Sequence, residues 1–213
     1  MNVERLHKNV EALYDEYNKE LLFHGWHHIW FVAEHAARFA DLVQADIDLV
    51  RSAALVHDLN YIVERDSEPV VAKNFRAEVL IESGYSQEDV DCIENIIDEA
   101  HTGHRTEKVS LEGMALSDAD TLFKALPITP ILFAGKYIQE TGTDIEKLAH
   151  KVVSEQAPLL ETDIYFYIKE VHDEYISWAK TNLDLWSHVE SCLQDPITKK
   201  MLELADMRTI LKK

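Results

Sequence analysis

Apolar residues recur at spacings of three and four through most of this chain, and strand-length stretches of strict apolar/polar alternation are scarce. That periodicity predicts an all-α protein with helices over roughly 3–21, 26–43, 47–60, 69–83, 87–101, 111–125, 130–140, 144–156, 162–180, 182–194 and 197–211. The low glycine content, six in all, agrees with it. Local punctuation supports several of the starts. Ser67-Glu68-Pro69, Thr129-Pro130 and Asp195-Pro196 each set a polar or acidic residue before a proline suited to a first helical turn. Ser86-Gln87-Glu88-Asp89 has the spacing of a capping box, with Asp89 in place of the usual Glu. No linker, repeat or low-complexity tract interrupts the pattern, and the longest weakly patterned stretch, about Thr102 to Val109, is loop-sized. A single domain is expected. The aromatic residues of the last third, Tyr165, Phe166, Tyr167, Tyr175, Trp178 and Trp186, are expected to pack over the core, with a homodimer contact left open.

Composition narrows the functional classes. With 213 residues, 46% of them apolar, the chain can bury a substantial core. It contains no run of eighteen apolar residues, and its start, Met1-Asn2-Val3-Glu4-Arg5, lacks the apolar stretch of a signal peptide, so no membrane association and a cytoplasmic location are expected. Cys92 and Cys192 have no metal-type spacing and read as free thiols of a reducing compartment. A formal net charge of −18 argues against binding duplex nucleic acid, which depends on clustered Lys and Arg displacing counterions. A small phosphorylated molecule remains open, because it needs only a local positive patch or a metal.

Chemistry concentrates in a few positions. His28, the pair His57-Asp58 and Asp120 all fall in helical stretches, and the pair sits in the apolar run Ala53-Ala54-Leu55-Val56-His57-Asp58-Leu59. An ionised carboxylate buried beside two imidazoles costs several kcal/mol unless compensated, and a divalent cation is the compensation these groups suit. Residue patterning alone leaves two choices open. His24 and His28 can share an inward face while His27 turns away, and Asp118 and Asp120 point about 200° apart on a helix, so one of the two reaches the centre. Arg76, Arg105, Lys108 and Lys124 are the basic candidates for orienting phosphate oxygens, Lys124 lying one turn after Asp120. The chain also shows how cheaply such fragments arise. His172-Asp173, among Lys169, Glu170 and Glu174, reads as a solvated face, and Ala205-Asp206 is a second late Ala-Asp.

In their order, three segments resemble the motifs of the HD superfamily of metal-dependent phosphohydrolases. These are His28-Ile29-Trp30-Phe31-Val32-Ala33, Ala53 through Leu59, and Ser117-Asp118-Ala119-Asp120-Thr121-Leu122. The resemblance covers roughly 24–125. It implies a helical bundle of the HD-domain type over 1–213, with the helices of 126–213 packing on a metal-binding core. It also implies that His28, His57, Asp58 and Asp120 bind a divalent metal ion, for which Mn, Fe, Ni, Zn and Mg all suit the donor set. The implied activity is hydrolysis of a nucleotide or other small phosphate ester through a metal-activated water. Asp58 then doubles as ligand and base, Asp118 or His101 handles the leaving-group proton, and Lys124, His24, Arg76 and Arg105 contact substrate. Glu64, six positions past Asp58, does not fit the glutamate spacing of nucleotidase-like members, and Asn60 and Tyr61 are expected in the cleft instead. Two rival readings accompany this one. A di-iron oxygenase of the HD type requires His101 or His104 as an added ligand, and a non-catalytic module uses the metal only as a staple.

Overall fold

The computed structural model describes residues 1–17, 19–65, 67–101 and 109–204. The described residues form helices and connecting turns, with no strand among them, as the periodicity predicts. The helices are α1 (Val3–Glu16), α2 (Trp26–Val43), α3 (Ile47–Val56), α4 (Asn60–Val63), α5 (Lys73–Glu82), α6 (Gln87–Ala100), α7 (Leu111–Ala125), α8 (Thr129–Leu132), α9 (Ala134–Thr141), α10 (Ile145–Glu161), α11 (Lys169–Gln194) and α12 (Pro196–Leu204), and a 3-10 turn at Pro69–Ala72 leads into α5.

At the centre lies α3. Val50, Ala53, Ala54, Leu55 and Val56 are all fully buried, and a helix apolar on every side has to be surrounded. α1, α2, α6 and α7 enclose it. α2 turns one stripe inward, His28, Ile29, Val32, Ala33, Ala36, Phe39 and Ala40, at the spacing of a core-facing helix. His28 belongs to that stripe, whereas His27 is exposed and stacks its ring on Phe133. Gly25 starts α2 where the chain passes so close to Leu21 that a Cβ would lie 2.4 Å from its carbonyl oxygen. Only glycine permits that approach, which brings Phe23 and His24 against the first turn of α2.

Side-chain caps set several of the helix starts. Asn2, Asp46, Ser110 and Asp144 each accept a hydrogen bond from a first-turn amide, and Ser86 with Asp89 forms the expected capping box. Elsewhere the structure departs from the sequence reading. The helix expected over 47–60 stops at His57, where Nδ1 of the imidazole lies 2.7 Å from the Ala54 carbonyl oxygen and the following amides bond three residues back instead of four. The stretch 130–140 is likewise two short helices, α8 and α9. In contrast, 182–194 continues the preceding helix without a break. Asn182, buried in the middle of α11, donates to the carbonyls of Lys124 and Leu126 and so closes the end of α7. Residues 162–168 precede α11 rather than forming its start, because Asp118 claims the amides of Tyr167 and Ile168.

Two apolar clusters result. The larger joins α1–α3, α5–α7 and the first half of α11, and buries Tyr165, Phe166 and Tyr175 as the packing role anticipates. The smaller gathers Ile138, Leu148, Ala149, Trp186, Leu193 and Leu202 from α9 to α12. No helix among the described residues is long and apolar enough to cross a membrane.

Candidate metal centre

His28 on α2, His57 at the end of α3 and Asp58 just beyond it meet at one point. Nε2 of His28 lies 3.0 Å from Asp58 Oδ2, and Nε2 of His57 lies 3.3 Å from the same oxygen. A ligand atom from each of the three lies within 4.8 Å of the others. Neither Nε2 makes a hydrogen bond, although both are buried. Buried imidazole nitrogens ordinarily have a partner. Two that lack one, facing a shared carboxylate oxygen, fit a cation. Donors held about 2.1 Å from an ion at right angles stand about 3.0 Å apart, close to the separations found here. The hydrogen bond of His57 Nδ1 to Ala54 fixes the ring with Nε2 as the free donor.

Asp120, from α7, lies beside the cluster on the His28 side and is not one of the three residues whose ligand atoms all fall within 4.8 Å of one another. Its Oδ1 lies 3.6 Å from His28 Nε2, and its Oδ2 accepts from Lys124 Nζ at 2.7 Å one turn along the helix. Burial opposes ionisation of Asp58, yet His57 and His28 outweigh it and hold the carboxyl well below the usual range. Asp120 is also lowered, with burial again opposing and Lys124 the main favourable neighbour. Lys124 in turn is raised, because Asp120 outweighs the effect of burial on the ammonium. Both acids are therefore charged at neutral pH and able to act as ligands.

The cluster lies in a cavity of about 550 Å³, within the usual range for ligand sites. Asn60 and Tyr61 line it, as expected from the sequence, and so do His24, His101 and Lys124. The His24 ring stacks on Tyr61, centroids 3.6 Å apart and planes within 9°. Its Nδ1 lies 2.5 Å from Glu140 Oε1, and Glu140 Oε2 accepts from the amides of Phe23 and His24 at 2.6 and 3.2 Å. His24 therefore faces the cavity but is held beside the metal cluster, leaving His28 as the inward histidine of the cluster. At the mouth, His101 Nε2 lies 3.3 Å from Glu68 Oε2.

Three residues expected at the site are placed elsewhere or lie outside the described chain. Arg76 is fully buried, donates to both oxygens of Glu94 at 2.7 and 2.6 Å, and bonds the Pro69 carbonyl with its remaining arm. It supports the wall that carries Glu68 and Pro69 and is not itself among the residues lining the cavity. Asp118 is also fully buried, and each of its oxygens accepts a 2.8 Å hydrogen bond from Tyr167 or Ile168. It secures the entry to α11, and a carboxylate so engaged is not placed to carry a leaving-group proton. Arg105 lies outside the described residues, as do His104, Lys108, Ala205 and Asp206. The sequence reading missed Glu140, Glu68, Lys151 and Glu155, all of which touch His24 or line the cavity. Glu140 sits in a short helix whose pattern carries no motif, so nothing local marked it. His172, of the second His-Asp pair, instead faces Asp163 at 3.3 Å.

A helical core that suspends a His/His/Asp cluster over a cavity defines the class of protein. Residues 25–124, 100 of the 213, match the family model of the HD domain, a superfamily whose members are typically metal-dependent phosphohydrolases. The chain is 34% identical over 103 residues to the uncharacterized protein YpgQ of Bacillus subtilis (strain 168), a match covering 46% of this chain and 50% of that one. It thus spans about half the length of the curated relative it matches. A crystal structure of a Lactobacillus plantarum protein, a structural-genomics target, resembles the fold with a TM-score of 0.52 at 23% identity, over 64% of this chain and 66% of that one.

Proposed function

We propose that the protein is a metal-dependent phosphohydrolase that acts on a nucleotide or other small phosphate ester. The observation that carries this reading is the pair of buried, unpartnered Nε2 atoms of His28 and His57 converging on Asp58. His28, His57, Asp58 and Asp120 would hold a divalent cation. When bound, such an ion polarises a phosphoryl oxygen and lowers the pKa of water toward neutrality.

The chain's own groups supply the rest. Asp58, kept ionised, is positioned to take a proton from an attacking water. Lys124, half-exposed beside Asp120, presents its ammonium to the phosphate oxygens. His24, clamped by Glu140 and Tyr61, offers a rigid polar surface next to the cluster. His101, at the mouth opposite Glu68, is within the same cavity and serves the leaving-group proton. Leu116, Ile97 and Phe23 exclude bulk water from the inner wall.

Release of inorganic phosphate from a panel of monoesters and cyclic nucleotides, with Mn or Ni added, tests the reading. Wild type should turn over one or more of them, and His57→Ala and Asp58→Ala should not. Absence of metal-dependent turnover across the panel would remove it. Two irons per chain with oxygen-dependent substrate loss would replace it with the oxygenase reading.

A further inference from the structure

Beside the metal cavity lies a second, smaller chamber of about 150 Å³. The two share Phe23, His24, Tyr61, Lys124, Lys151 and Glu155, so they adjoin, with these six residues forming the neck between them. Beyond the neck the walls come from the chain after residue 125, outside the HD match: Pro130, Tyr137, Leu148, Val152 and Trp186. We propose that this chamber is the specificity subsite of the enzyme and receives a flat, hydrogen-bonding ring on the organic side of the phosphate ester, an inference that rests on the hydrolase reading above.

The order of chemistry along the cavities supports the assignment. The acid and imidazole cluster comes first. Next comes a neck with two ammonium groups, Lys124 on Asp120 and Lys151 bonded to the Tyr137 hydroxyl at 2.9 Å. Last is a chamber of aromatic and aliphatic walls. Phosphate matches the first two zones. A second phosphate does not match the third, because an anion placed among Leu148, Val152 and Trp186 would lose its water with no cation among the described residues lining the chamber beyond the neck to compensate.

A flat ring does match. Trp186 and Phe23 are largely buried, and Phe23 meets Tyr137 edge to face at 5.1 Å, so the aromatic surfaces are fixed in advance. Two polar groups then distinguish a heteroaromatic ring from a purely hydrocarbon one. Gln156 spends its amide oxygen on the Tyr165 hydroxyl at 2.9 Å, which leaves its NH2 as a donor lining the chamber. The Glu155 carboxylate at the neck supplies an acceptor. A ring with an acceptor and a donor on its edges satisfies both.

Binding of adenosine, guanosine, cytidine and uridine, with ribose as the ringless control, tests this by calorimetry in the absence of metal. At least one nucleoside should bind wild type about tenfold or more tightly than ribose. Val152→Phe fills the chamber and should weaken that binding about tenfold. It should also raise KM for the matching phosphate ester by a larger factor than KM for glycerol phosphate, which has no ring to place in the chamber. Gln156→Glu keeps the acceptor for Tyr165 but replaces the donor, adds no bulk, and should lose affinity by a similar factor. It carries the test if Val152→Phe melts well below wild type. Equal binding of ribose and all four nucleosides, or nucleoside binding untouched by both variants, would overturn the proposal. Nucleoside binding without metal-dependent phosphate release would leave the subsite standing and remove the hydrolase reading; turnover with no nucleoside preference would do the reverse.

Discussion

Arg76 and Glu94 meet through two hydrogen bonds, 2.7 and 2.6 Å, in a pair that is almost wholly removed from solvent. Both charges depend on each other, because either one alone would be stranded in the core. Truncating one partner of such a pair typically costs about 3–5 kcal/mol, whereas replacing both with apolar residues is often near neutral. Arg76→Ala is therefore expected to lower the melting temperature sharply. The double variant Arg76→Met/Glu94→Leu should recover most of the loss in thermal melts and retain phosphate release. A double variant that folds well but has lost turnover would return Arg76 to the substrate-binding role suggested by its charge.

Asp118 offers a comparable test of a helix junction. Its two oxygens each serve an amide just before α11, and the residue has no exposed surface. Asp118→Asn keeps one acceptor and turns the other into a donor facing an amide, leaving a buried N–H unpaired at a cost of about 1–3 kcal/mol. Denaturant melts should show that loss. With the protein still folded, kcat should stay within a few-fold of wild type, and the acid and alkaline limbs of its pH profile should not move. A shifted limb would mean that Asp118 carries a proton in the reaction.

The contrast between these two residues and the metal cluster shows what sequence carries. Helices α2 and α7 have the limits that periodicity predicts, and α6 ends within one residue, because local pattern, and caps such as Ser86 and Ser110, determine them. His57-Asp58 stood out by the apolar run around it, whereas His28 was separated from His24 only by the resemblance of its segment to the HD motif, because patterning alone left both facing inward. Glu140 was not legible. It reaches His24 across 116 positions, and only the folding of α9 against Phe23 creates that contact. The same holds for the start of α11, which Asp118 sets from about fifty positions away. Arg76 and Asp118 misled for a related reason: an isolated charge in a sequence does not reveal whether its partner is a ligand or another part of the core.

Glu140 predicts a pH dependence. Burial works against its charged form, but His24 and the amides of Phe23 and His24 outweigh it, and the carboxyl lies below its ordinary 4.5. An acid whose pKa is lower in the native state stabilises the fold at pH values above the unfolded pKa, and loses that contribution as the pH falls through the native one. Wild type should therefore be more stable than Glu140→Gln near neutrality, and the gap in melting temperature should narrow below pH 4.5. Melts of both proteins across that interval measure it. A gap that is constant with pH would show that the carboxylate charge contributes nothing there.

Metal removal gives the sharpest test of the cluster because it can be read without a substrate. An ion that binds the folded chain alone stabilises it by about 2.7 kcal/mol at a hundredfold excess over its dissociation constant. For a chain of this size that corresponds to a rise in melting temperature of about 5–10 °C. Wild type purified without chelator and supplied with Mn or Ni should show such a rise, and EDTA should reverse it. His57→Ala leaves Asp58 and His28 in place but removes one of the two Nε2 atoms that face Asp58, and should abolish both the rise and the uptake measured by elemental analysis. Equal metal content and equal shifts in wild type and His57→Ala would locate the binding away from this cluster and take the proposed chemistry with it.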